Sequence, residues 1–437
     1  MRHSGLGSLL AGMLRVGTIG FGGGAALIPV MDDELVRRRG LLTSTQFGTH
    51  TLVANLTPGA LPVKLAAQAG AQLGRPLGAV LAALAVALPG ALLNVALLAG
   101  FAAIGPAGIR LVEFAAVGIS AFIIVLMGHF MVKVIRAAGQ RWRIALLVLV
   151  ASFLATGGPT TLATLGRLLG QEWHIALPRL SAVQVVILAI ALIAVGHLIR
   201  PGRGTRKAAV AVTSRAPWLA AGVFLGLLGT ALLLMLLLPG GGRFLGLVGL
   251  STVTSFGGGE AYVAVADGFF VQSGMVDGAQ FYGQTVPIAN ALPGPILVKI
   301  ASCLGFLFGS QAGGWPLGVT LAVAAFVVSV AASCIPALAL LAGHEKVAGS
   351  VFVRRLGTYI LPVICGLLVT TSLSMVKASM DIARHADIAG APVGWASLAA
   401  VALLWWAQAR WKLADLVLLA VAGGCSVTVL LILAGGL

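Results

Sequence analysis

The chain has 437 residues, 59% of them hydrophobic and only 9% charged, with a mean hydropathy of +1.05. A soluble domain carries roughly 25% charged residues, so this composition excludes a water-covered globular protein and predicts a polytopic membrane protein. The net charge of +16 lies largely in short loops, Lys133, Arg136, Arg141 and Arg143 in one and Arg200, Arg203, Arg206, Lys207 and Arg215 in another. That is the pattern of cytoplasmic loops meeting anionic lipid, not of a nucleic-acid surface.

In chain order, the first half holds apolar runs near 8–31, 45–74, 77–104, 110–134, 143–157 and 180–199. The N-terminus runs straight into the first of these with Arg15 inside it, and reads as no cleavable signal peptide. A basic stretch, 200–215, leads to an unmatched run, 217–238. The second half holds runs near 243–266, 279–309, 316–342, 355–376, 394–409 and 413–434. Most are about 20 residues long, enough for a helix to cross a ~30 Å hydrocarbon core. They are too long and too evenly apolar for an outer-membrane barrel. The four cysteines, Cys303, Cys334, Cys365 and Cys425, lie within apolar runs and read as small core residues.

A shift of 235 residues lays 21–74 on 256–309 without a gap, and 18 of those 54 positions are identical. The identities include the Gly22, Gly23, Gly24 and Gly257, Gly258, Gly259 triplets, Asp32/Asp267, Asn55/Asn290, Pro58-Gly59/Pro293-Gly294 and Lys64/Lys299. After a short insertion, Pro76-Leu77-Gly78 finds Pro316-Leu317-Gly318. A tandem duplication follows, with domains 1–200 and 243–437 joined by a linker and extra helix over 201–242. The fold class expected is all-α, a helical membrane protein of two homologous, inverted repeats, each with a broken or re-entrant helix pair. Inversion rests on loop charge. Arg37, Arg38 and Arg39 follow the first run, their counterpart loop has no Lys or Arg, and the bias reverses at Lys346, Arg354 and Arg355. A single crossing by 217–238 would make the repeats parallel, so that run is expected not to cross or to be offset by a neighbour.

The motifs point to an anion. Three glycines inside an apolar run cost a helix about 1 kcal/mol each. They serve either close helix contact or an unwound stretch whose N–H groups cradle an anion. Pro58 and Pro293 break their runs and let new half-helices begin with positive ends inside the protein. Lys64 and Lys299 follow in apolar surroundings, where a lysine is costly unless it meets water, a partner or a ligand. They either line a shared positive site with Asn55 and Asn290, or pair with Asp32, Asp267 or Glu260. Glu260, where the first half has Ala25, reads as a proton-coupling carboxylate or a lysine partner, with Asp32 and Asp267 as further coupling candidates. His129 reads as a proton relay or a membrane-end residue. There is no P-loop, Cys/His metal cluster or nucleophile elbow, and no enzyme or ATP-driven pump is expected.

The stretches FGGGAALIPVMDDELVRRRGLLTSTQF, PGA and GAQLGRPLGA, with FGGGEAYVAVAD and NALPGPILVK in the second half, resemble the chromate ion transporter family in its long, two-domain form. The resemblance covers roughly 10–105 and 245–345. It implies a secondary transporter of the bacterial inner membrane that exports chromate, a dianion shaped like sulfate. The family's signature positions fall here on Phe21–Gly24, Pro58-Gly59, Phe256–Gly259 and Pro293–Pro295. The chain departs from the pattern at Ala60, at Asn55 and Asn290 where Gln is usual, and at Lys64 and Lys299 where a polar amide is usual. The expected partners are a small inorganic oxyanion, membrane lipids and a second copy in a homodimer, with no cofactor, metal or nucleic acid. A transporter of a small organic anion, or a channel-like component, are the alternatives.

Overall fold

A computed structural model describes residues 4–20, 27–168, 180–199, 215–235, 240–256, 259–343, 351–411 and 413–435. Every regular element among them is helical. Among the described residues eight helices are long and apolar enough to cross a membrane, as a multi-pass membrane protein requires. They include Ala216–Leu233, so the unmatched run does form a helix of spanning length.

The first repeat opens with α1 (Ser4–Ile19) and α2 (Leu27–Asp32), which passes into a π-helical turn, Asp33–Arg38. The predicted second run is two half-helices, α3 (Ser44–Leu56) and α4 (Leu61–Gln72). A capping box starts α3. Thr43 Oγ1 accepts from the Gln46 amide at 3.2 Å and Gln46 Oε1 accepts from the Thr43 amide at 2.9 Å. Pro62 sits in the first turn of α4, where no intrahelical donor is lost. Two predicted runs join as α5 (Pro76–Ala137), kinked at Gly105, followed by α6 (Trp142–Leu168) and α7 (Ala182–Ile199). The extra helix is α8 (Ala216–Met235).

The second repeat copies this order. It has α9 (Gly241–Thr254), α10 (Gly259–Ala266) and a second π-helical turn, Asp267–Val271. The half-helix α11 (Val286–Ala291) precedes the break, and α12 (Ile296–Ala342) follows it, bent at Gly313 and Gly314. The chain ends with α13 (Val351–His385), α14 (Gly390–Trp411) and α15 (Asp415–Leu433).

The described chain forms two compact units, each drawn from both repeats. The first comprises Met1–Val95, Ile187–Tyr262 and Leu292–Leu361. In it α12 packs on α8, α9 and α4. Glycines allow near backbone contact: a Cβ at Gly70 would lie 2.4 Å from the Gly78 carbonyl, and one at its counterpart Gly305 2.4 Å from that of Leu321. The second unit comprises Ala96–Val186, Val263–Ala291 and Pro362–Leu437. Its core gathers Phe122, Val125, Leu404 and Leu418 in one cluster and Phe114, Ile382, Val393 and Leu430 in another. His129 stacks on Trp405 with ring centroids 4.1 Å apart.

Candidate functional site

The site is built on the two Pro-Gly breaks. A proline cannot donate to the preceding turn, so carbonyls at the end of the upstream half-helix lose their partners. Each lysine supplies what the break removes. Lys64 Nζ reaches back from α4 and donates to the carbonyls of Ala54 and Thr57, both at 2.6 Å. Lys299 Nζ donates to the Leu292 carbonyl at 2.5 Å. Both lysines are buried, 2% and 0% exposed. Neither ammonium is in an ion pair among the described residues. A cation at the C-terminal end of a half-helix is favoured by the helix dipole, and three ammonium donors suit a cluster of free carbonyls.

The glycines of the breaks turn the chain. Gly59 has φ +96° and Gly294 φ +94°, in the left-handed region that favours glycine. Their amides point across to the other repeat. Gly59 N donates to the Ser255 carbonyl at 2.8 Å, and Gly294 N donates to the Gly20 carbonyl at 2.8 Å. Ser255 is the repeat counterpart of Gly20, so the two bonds are equivalent under exchange of the repeats. Such reciprocity is the mark of a local twofold relation. Gly20 and Ser255 immediately precede the two FGGG signatures. Ser333 adds a contact at the first break, accepting from the Ala60 amide at 3.0 Å.

The other predicted residues are placed as follows. Asn55 Nδ2 donates to the Thr51 carbonyl and Asn290 Nδ2 to that of Val286, each four residues back and each at 2.8 Å. Pro58 and Pro293 flank the turns, and Gly259 begins α10. Gly22, Gly23, Gly24, Gly257 and Gly258 lie outside the described residues, as does the side chain of Glu260. The carboxylates Asp32 and Asp267 have partners of their own. Asp32 pairs with Arg37 at 3.3 Å, and Asp267 accepts from Gln272 at 2.7 Å. Gln272 is the counterpart of Arg37, so one contact recurs in both repeats with and without charge.

That contact comes from the π-helical turn, whose wider winding brings residues five apart onto one face. In DDELVRRR three acids precede three arginines by five, and all three pairs form: Asp32–Arg37 at 3.3 Å, Asp33–Arg38 at 2.5 Å and Glu34–Arg39 at 2.9 Å. Glu34 is buried and also meets Arg15 at 3.1 Å. The spacing was visible in the sequence, but an α-helical frame pairs residues three or four apart and passes over it. Ser333, Gly20 and Ser255 were also missed. Their contacts are long-range, and Gly20 and Ser255 share a repeat position without sharing an identity.

The sequence model described as Chromate transporter matches residues 7–247 and again 244–427. An uncharacterized transporter of Bacillus subtilis (strain 168), YwrB, is 36% identical over 58 residues, which is 13% of this chain. The match spans 29% of that relative's length. No solved structure matches. The family is one of membrane transporters rather than enzymes, its model covers nearly the whole chain in two copies, and the chain therefore belongs to the chromate transporter family.

Proposed function

We propose that the chain is a secondary transporter that exports chromate or a sulfate-like oxyanion across the bacterial inner membrane. It works by alternating access at the interface of two inverted repeats, 1–200 and 243–437, joined by the linker and helix of 201–242. The observation that carries this reading is the reciprocal docking of the breaks. Each break is fastened to the residue before the other repeat's FGGG signature. The candidate anion site comprises the glycine triplets Gly22–Gly24 and Gly257–Gly259 together with Lys64 and Lys299. Among the described residues Lys64 has one ammonium donor and Lys299 two beyond those given to carbonyls. Asn55 and Asn290 complete the candidate shell.

An inside-negative membrane potential drives a dianion outward, each charge being worth about 2.3 kcal/mol per 100 mV. Export therefore needs no proton carried by Asp32, Asp267 or Glu260. The pairing of Asp32 with Arg37 agrees with that economy. Membrane lipid and a second copy of the chain complete the proposed surroundings.

Counterflow in proteoliposomes tests the reading. Saturable chromate uptake stimulated by sulfate on the opposite side is expected. Uptake that never saturates or shows no trans-stimulation would indicate a channel, and stimulation by carboxylates alone would indicate an organic-anion transporter.

A further inference from the structure

Two carboxamides, one on the half-helix after the first break and one on a helix packed against the second, are used by none of the contacts described above. Gln68 is one turn beyond Lys64 in α4, and Asn94 is one turn beyond Gly90 in α5. Both are 0% exposed. Neither the nitrogen nor the oxygen of either amide has a hydrogen-bond partner among the described residues. Buried polar side chains are nearly always paired, and an amide left unpaired at both ends is a rare arrangement that calls for a ligand or water.

The direction of the helices aims both amides. A helical Cα–Cβ bond leans toward the N-terminus, so Gln68 leans toward Lys64 and Asn94 toward Gly90. Gly90 abuts the second break: a Cβ there would lie 2.3 Å from the Pro293 carbonyl oxygen and 3.2 Å from Lys299 Cδ. Each amide is thus one turn from a lysine or from the glycine that touches one.

The repeats sharpen the pattern. The shift of 235 puts Gln68 on Cys303, one turn beyond Lys299. The shift of 240 that aligns Pro76 with Pro316 puts Asn94 on Cys334. The Cys334 thiol reaches the Val63 carbonyl, beside Lys64, at 3.9 Å. Lys64 therefore has Gln68 one turn on and Cys334 across from it, while Lys299 has Cys303 one turn on and packs by Gly90, one turn before Asn94. At both pairs of matched positions an amide in the first repeat is replaced by a thiol in the second.

We propose that Gln68 and Asn94 are oxyanion ligands, Gln68 Nε2 donating to the bound dianion beside Lys64 and Asn94 Nδ2 beside Lys299. This rests on the transporter reading above and adds two residues to its site. A carboxamide donates to a tetrahedral oxyanion without adding a charge that would hold the ion too tightly for release.

The test replaces each amide with leucine and measures chromate and sulfate uptake kinetics in proteoliposomes, with thermal stability of the purified protein in parallel. Each of Gln68→Leu and Asn94→Leu should raise KM about tenfold or more, as loss of a hydrogen bond to a charged group does. Stability without anion should hold or rise, since an unpaired buried amide has gone. The added stability conferred by chromate on the wild type should shrink. If a leucine variant fails to fold, Gln68→Glu and Asn94→Asp keep the shape and repel a dianion, and the same rise in KM is expected. Wild-type KM in the variants, with equal or higher stability, would overturn the inference and leave the transporter reading standing. Absence of saturable oxyanion uptake by the wild type would overturn both.

Discussion

Gly59 donates its amide hydrogen to the carbonyl of Ser255, 2.8 Å away in the other repeat. The counterpart bond, from Gly294 to Gly20, has the same length. The two helix breaks are therefore parts of one assembly. Each is turned by a glycine, closed by a lysine and anchored on the opposite repeat.

The turns themselves are the first point of attack. Alanine at Gly59 or Gly294 must adopt a positive φ, at a cost of about 1–3 kcal/mol. The two sites differ in space. A Cβ at Gly59 would meet Ser333 Oγ at 2.5 Å and Cα at 2.7 Å, whereas at Gly294 the nearest atom is the Gly17 carbonyl oxygen at 3.3 Å. Gly59→Ala should therefore lower the unfolding temperature in detergent more than Gly294→Ala. Equal losses would show that backbone strain alone sets the cost.

Ser333 holds the first break from the side. It accepts from the Ala60 amide at 3.0 Å and donates to the Ser329 carbonyl at 2.8 Å. Ser333→Ala leaves the Ala60 amide without its acceptor, a loss of about 1 kcal/mol. Hydrogen exchange followed by mass spectrometry should speed up over residues 57–64, with little change in α6. Unaltered exchange at the break would mean that Ser333 does not hold it.

The π-helical turn predicts a graded series. Glu34 has a side chain only 3% exposed and faces Arg15 and Arg39. Glu34→Gln should cost roughly 2–3 kcal/mol, short of a fully buried pair because both arginines keep contact with water. Arg37 is 75% exposed at its side chain, and its counterpart is Gln272. Arg37→Gln should change stability by less than about 0.5 kcal/mol, since exposed pairs contribute little. Unfolding temperatures of the two variants check the order.

Much of this arrangement could be read from the chain itself. The duplicated Asn, Pro-Gly and Lys located both breaks, because glycine and proline punctuate helices through their own backbone chemistry. The half-helices α3 and α4 and the bend before α12 follow from it. What local sequence does not carry is which distant backbone group meets which. The acceptors Gly20 and Ser255 contribute carbonyls, which every residue has. The lysines were expected to meet an anion or a carboxylate, and the structure shows each holding main-chain carbonyls of its own break. A break creates those acceptors, so the lysine and the proline belong to one device. The extra helix α8 shows the reverse limit. Its length was plain, but the charge rule that orients loops says nothing about an unmatched span.

The central claim is that the two lysines serve the passage of an oxyanion as well as closing the breaks. Glutamine keeps a donor for the carbonyls and removes the charge. Chromate and sulfate uptake into everted vesicles, measured for Lys64→Gln and Lys299→Gln, is the most direct test. The account predicts that each variant loses tenfold or more in kcat/KM, about 1.4 kcal/mol of transition-state stabilisation, while the purified protein stays folded. Saturable uptake at the wild-type rate and affinity in both variants would contradict it and leave the lysines as helix caps alone.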